Sequence, residues 1–166
     1  MSKWFYVPLN PDPWAIGPLG VGKRNGKYVP YVGRNIQLDD YKKAVAEELV
    51  SQGTELVNYD EYALRFYFWR RLDAHESGRK HQADVTNLQK ATEDALQGVL
   101  IGNDRNVRSV YSEIVAQGTD VKPGIVINVE HYASTSHLTP EIPDGIWDKV
   151  NSTEQDTLFD NTWPPA

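Results

Sequence analysis

The chain has 166 residues, a formal net charge of −6, an apolar share of 40%, a charged share of 24% and no cysteine. That length supports one domain with a real core and is short for two. The missing cysteines exclude a disulfide framework, a zinc knuckle and a thiol nucleophile, and fit a reducing compartment. No apolar run approaches the roughly 18 residues of a membrane span, and residues 1–8 lack the long apolar run of a signal peptide.

The acidity is concentrated at one end. Residues 133–166 hold Glu141, Asp144, Asp148, Glu154, Asp156 and Asp160 against Lys149, while the first 132 residues are close to neutral. The net charge argues against a simple nucleic-acid binder, yet phosphate binding by the body is not excluded.

Residues 3–7 read as a first strand ended by Pro8, and the Pro- and Gly-rich stretch 8–20 as loop. Lys23, Arg24, Asn25, Gly26 and Lys27 form a basic hairpin tip, because Asn-Gly suits a type I′ turn. These bases serve solubility or contact phosphates. Asp39-Asp40 followed by Tyr41, Ala44, Val45 and Leu49 predicts an amphipathic helix ending near Gly53. Residues 62–71 are the clearest strand, with Tyr62, Leu64, Phe66 and Phe68 on one face and Ala63, Arg65, Tyr67 and Trp69 on the other. Sheet packing explains most of that aromatic content. Residues 75–82 read as a polar connector carrying Arg79 and Lys80, and His75 and His81 read as surface residues.

Thr86 followed by Gln89 is a capping box, which predicts a helix from Asn87. Leu88, Ala91, Thr92, Ala95 and Val99 make its core stripe. Asn87, Lys90 and Asp94 line another face. Asp84 falls beside the positive end of the helix, where a carboxylate is favoured. Gly98 and Gly102 are expected to break the helix and bring Asn103-Asp104 back to it. Carboxylates and one lysine would then share one place, which suits a hard divalent cation and a phosphate. Read blandly, Asp84 is a helix-end carboxylate and Lys90 and Asp94 an exposed i, i+4 pair.

Residues 106–115 and 125–130 read as the last strands. The body, residues 1–132, is therefore α+β: a small mixed or mostly antiparallel sheet with two main helices packed on it. Residues 133–166 read as an acidic extension containing Pro and Trp, partly disordered or docked by its aromatics. Its charge either solubilises the chain or competes with phosphates for the basic loops.

The segment Asp84-Val85-Thr86-Asn87-Leu88-Gln89-Lys90-Ala91-Thr92-Glu93-Asp94-Ala95-Leu96, followed by Asn103-Asp104, resembles the RusA family of Holliday junction resolvases of bacteria and their phages. The family pattern is Asp-x-Asp-Asn-x-x-Lys-x-x-x-Asp-x-Leu and then a second acidic turn. The close likeness covers residues 79–115, and the strand order extends it loosely over 3–131. The resemblance implies a RusA-like fold and an endodeoxyribonuclease of DNA recombination and repair. Mg²⁺ is implied as cofactor with Mn²⁺ as the alternative, four-way junctions or other branched DNA as substrate, and a homodimer as the working form. It also implies the cytoplasm of a bacterium or phage-infected cell. It makes Asp84, Lys90 and Asp104 catalytic, with Asp84 and Asp104 on the metal and Asp94 a further acid. Lys23, Arg24, Lys27, Arg79 and Lys80 are candidate DNA contacts, and Thr86 and Asn87 support the site.

One departure from the pattern is Thr86, which stands where the best-known members carry a second catalytic Asp. A threonine supplies no charged ligand at neutral pH. Its hydroxyl is expected to cap the helix or hold a metal-bound water, with Asp94 compensating for the missing charge. A junction-binding protein of the same fold with little or no activity is the rival reading, and a less selective flap or single-strand nuclease the third.

Overall fold

The computed structural model describes residues 2–15, 17–74, 83–132 and 143–151. In chain order it contains β1 (Lys3–Val7), β2 (Leu19–Arg24), β3 (Lys27–Val32), α1 (Ile36–Ser51), β4 (Tyr62–Arg71), α2 (Val85–Leu96), β5 (Val107–Gly118), β6 (Gly124–His131) and α3 (Asp144–Asn151). A four-stranded mixed sheet has the order β1-β6-β4-β5, and β2 and β3 form a separate hairpin. The fold is α+β, as its sequence pattern implies. No described helix is long and apolar enough to cross a membrane.

The strand β4 lies inside the sheet, antiparallel to β6 and parallel to β5. Both of its faces are covered, which accounts for its run of apolar and aromatic residues. Tyr62, Leu64, Phe66 and Phe68 join Ile125, Ile127 and Val129 of β6 beneath α1 and α2 in the main core. The helix α1 starts at Ile36, one turn earlier than the acids Asp39-Asp40 suggest, because Asn35 caps it by accepting from the Leu38 N–H at 3.1 Å. The two helices are joined by a buried hydrogen bond between the Tyr41 hydroxyl and Thr92 Oγ1 at 2.8 Å. Burial raises the Tyr41 pKa above its ordinary value, so the phenol stays neutral.

The opposite face of the sheet carries a smaller cluster of Tyr6, Tyr67, Val126 and Ile146, with Trp4, Trp69 and Val150 against it. Ile146 belongs to α3, and Trp147 of the same helix meets Trp69 edge-on, ring centroids 5.7 Å apart. This stretch of the acidic extension is thus docked by its aromatics, and it packs on the sheet face away from α2. The remainder of the extension, including Trp163, lies outside the described residues, as do His75, Arg79, Lys80 and His81. Ile146→Asp places an unpaired charge in that cluster and is expected to cost about 2–4 kcal/mol in a urea melt, while secondary structure is retained. A loss under 0.5 kcal/mol would mean that α3 contributes little to the fold.

The hairpin turns at Asn25 and Gly26, with φ of 52° and 79°. Two consecutive positive φ values define the type I′ turn that Asn-Gly favours. Its first strand takes in the last two residues of the stretch expected to be loop, because Leu19 already pairs with Val32 and Gly20 with Tyr31. By the period of two, Leu19, Val21, Pro30 and Val32 share one face, and that face is bare: Leu19 is 80% exposed, Val21 69% and Val32 60%.

Candidate active site

Asp84, and not Thr86, caps α2. Its Oδ1 accepts from the Asn87 backbone N–H at 2.8 Å, and its Oδ2 accepts from Asn87 Nδ2 at 2.8 Å. The helix begins at Val85 as a result, two residues before the start that the Thr86–Gln89 box suggests. An aspartate competes better for that role because its carboxylate also answers the positive end of the helix dipole. Thr86, relieved of capping, is exposed on the first turn. Asn87 fixes both oxygens of Asp84, and each oxygen keeps a lone pair for another partner.

Lys90 lies one turn further along. Its Nζ sits 4.0 Å from the centroid of the Trp14 ring, and among the described residues it forms no ion pair. Trp14 belongs to the proline-rich stretch between β1 and β2. The expected Lys90–Asp94 pair is replaced by a different contact: Asp94 Oδ2 faces Lys42 Nζ of α1 at 3.9 Å, and Lys42 in turn faces Asp39. Asp94 therefore belongs to the α1–α2 seam.

Asp104 is not brought back to Asp84. After α2 the chain turns at Gly98, which has φ 75°, and a single 3-10 turn, Asp104–Asn106, leads into β5. Because β5 runs parallel to β4, its first residue pairs near Tyr62, under the C-terminal end of α2. The side-chain contacts confirm this direction: the Ala83 N–H donates to Gln117 at 3.1 Å, and Ser112 donates to Gln89 at 3.0 Å. Asp104 therefore neighbours Glu93, whose pKa its charge helps to raise. From Asp84 to Glu93 the helix rises roughly 13 Å, too far for one ion to take both Asp84 and Asp104 of one protomer. Among the described residues no three His, Cys, Asp or Glu side chains gather to hold a metal.

Glu93 is the acid that sequence reasoning passed over. Thr86, Lys90 and Glu93 stand at i, i+4 and i+7, one face of α2, and that spacing was the available signal. Burial, first, and the charges of Asp94 and Asp104 hold its carboxyl above the ordinary range, while a hydrogen bond from Gln89 works the other way. The folded protein thus binds this proton more tightly than the unfolded chain, so stability falls as pH rises from the ordinary value through the raised one. Glu93→Gln is expected to melt above the parent protein at pH 7 in EDTA. The gap should close below about pH 4, where the unfolded carboxyl is protonated too. Identical melting curves at pH 7 would contradict this.

The hairpin tip presents Lys23, Arg24 and Lys27 to solvent, with Lys23 Nζ 6.0 Å from the Tyr28 ring.

Small α+β domains with a capping aspartate and an exposed lysine on one helix are common, and the comparison of the whole chain narrows the class. The family model of the endodeoxyribonuclease RusA matches residues 21–130. The chain belongs to that family, and membership implies endodeoxyribonuclease activity. No curated protein matches the chain.

Proposed function

We propose that the protein is a Mg²⁺-dependent endonuclease that hydrolyses phosphodiesters in branched DNA, with four-way junctions preferred. The observation that carries this reading is that Asp84 caps α2 and Lys90 stands exposed in the N-terminal half of the same helix, within the family match. Asp84 is exposed and oriented by Asn87, and the Lys90 ammonium rests against a ring, with no carboxylate paired to it among the described residues. An ammonium so placed stabilises the charge that builds on a phosphate in the transition state.

The donor set fits Mg²⁺ in kind. This ion takes oxygen ligands, often one or two carboxylates, and keeps several waters. When bound, it supplies an activated water and offsets charge on the leaving oxygen. Asp84 would hold it in each protomer, with Thr86 positioned to hold a water. Asp104 is too distant within the protomer, so we assign its role to a dimer in which Asp104 of the partner subunit approaches Asp84. Glu93, beside Asp104, would then arrive with it. Asp94, facing Lys42, remains a supporting charge.

The bare apolar face of the hairpin supports the homodimer. Leu19, Val21, Pro30 and Val32 form a patch of the kind that monomers rarely leave in water, and an isologous contact buries it twice over. Two sites related by a two-fold axis suit paired nicks across a junction. Lys23, Arg24 and Lys27 at the hairpin tips, with Arg79 and Lys80 just before Asp84 in sequence, are assigned to DNA phosphates. The proposed setting is recombination and repair in the cytoplasm of a bacterium or phage-infected cell.

A four-way junction, a flap and a linear duplex incubated side by side with Mg²⁺ or Mn²⁺ test the reading. Cleavage of the junction at least tenfold faster than the duplex is expected. A fastest rate on the flap would make this a less selective nuclease, and no cleavage with either metal would end the nuclease reading. Thr86 favours one alternative, a junction binder with little activity. A large gain in cleavage by Thr86→Asp supports that decayed state, and no gain supports a site adapted to threonine.

A further inference from the structure

We infer that Trp14 is a positioning residue for Lys90: the proline-rich segment between β1 and β2 is a strap whose purpose is to hold one aromatic ring against that ammonium. The inference deepens the nuclease reading and rests on it for its catalytic half. Trp14 lies outside the matched residues 21–130, so the family match says nothing about it.

The strap is fastened along its length. Asn10 exchanges two hydrogen bonds with the backbone of Arg71, at 2.8 and 3.0 Å. Arg70 donates to the Pro11 carbonyl at 3.3 Å, and Gln37 donates to Asp12 at 2.8 Å. Asn35, the cap of α1, donates to the Ala15 carbonyl at 3.3 Å. Between these anchors the Trp14 backbone N–H donates to the Asn87 backbone carbonyl at 2.9 Å, on the first turn of α2. The segment thus ties the end of β4, the start of α1 and the start of α2, and sets Trp14 over the next turn of α2. Four prolines, Pro8, Pro11, Pro13 and Pro18, stiffen it before folding begins.

The choice of an aromatic ring has a chemical consequence. A carboxylate beside Lys90 would hold its position but neutralise it and occupy its N–H donors. The face of an indole attracts a cation through its quadrupole and accepts no full hydrogen bond. Lys90 then loses part of its considerable rotamer freedom before substrate arrives, while its charge and donors stay available to a phosphate. The same residue that orients Asp84, Asn87, receives the strap's central hydrogen bond, so carboxylate and ammonium are referenced to one backbone unit.

The test uses the full-length protein labelled with ¹³C at the lysine ε carbons, with Lys90→Arg to identify the signal. In the parent protein, without DNA or metal, the Lys90 ε-methylene protons are expected upfield of ordinary lysine through the ring current. Trp14→Phe should keep most of that displacement and Trp14→Leu should abolish it. On a four-way junction with Mg²⁺, Trp14→Leu should lower kcat about tenfold with KM changed less than threefold, and Trp14→Phe should recover most of the lost rate. Adding Trp14→Leu to Lys90→Ala should cost nothing further, since the ring acts only through the lysine. An ordinary shift in the parent protein overturns the contact. Losses that multiply in the double variant overturn the positioning role, as does a Trp14→Leu rate equal to the parent. If the parent cleaves no DNA at all, the nuclease reading and the catalytic half fall together, and the shift still decides whether ring and ammonium meet.

Discussion

Replacing Lys90 by alanine is expected to lower junction cleavage at saturating Mg²⁺ by about 100- to 1000-fold, the usual loss when a preorganised donor to a transition-state charge is removed. Junction affinity should change only a few-fold, because one exposed base contributes little to binding through many phosphates. Asp84→Asn should lose as much rate for a different reason. Asparagine also caps helices, so the Asn87 N–H keeps its acceptor and α2 its start, with only the modest charge–dipole contribution lost. What disappears is the negative charge that a divalent ion needs. The pair separates function from folding: both variants should melt within about 2 °C of the parent protein, since neither side chain is in the core. Cleavage by either variant within threefold of the parent rate would remove that residue from the chemistry.

Mixing two inactive variants is expected to restore cleavage. Asp84→Asn and Asp104→Asn protomers, allowed to exchange, give mixed dimers in which one site has both wild-type aspartates and the other has neither. With random pairing about a quarter of the parental sites should return, and mixed dimers should nick one strand of a junction without cutting the second. The expectation follows from the roughly 13 Å of helix that separates Asp84 from the neighbourhood of Asp104. Exchange without recovery would show that the two residues do not form a site across subunits. The dimer surface has its own control. Val21→Asp puts a charge in the middle of the apolar face of the hairpin and should give a monomer in light scattering. That monomer should bind DNA weakly and cut nothing; a Val21→Asp dimer would place the interface elsewhere.

Much of the architecture was legible because the local rules agreed with the packing. The alternation in residues 62–71 matched a strand between two cores, Asn25-Gly26 matched its turn, and the stripe from Leu88 to Ala95 matched the buried face of α2. The misreadings lie where two acceptable rules compete. Thr86–Gln89 and Asp84 both qualify as caps, and the carboxylate prevailed through the helix dipole. The position of Asp104 was hidden for a topological reason. A turn after a helix leads to either end of the next strand's neighbour, and only the parallel pairing of β5 with β4 decides which. Trp14 over Lys90 joins residues 76 positions apart, and no periodicity reports a contact of that kind.

The pairing of β1 with β6 has a consequence for synthesis in the cell. Val7 lies opposite Ile125, so the first strand made has no partner until almost the whole body has left the ribosome. At ordinary elongation rates that is a wait on the order of ten seconds, with Trp4, Phe5, Tyr6 and Val7 unsheltered. Native closure of the sheet therefore waits for β6, the last strand of the body, and until then these residues are exposed to any chaperone that grips extended aromatic segments.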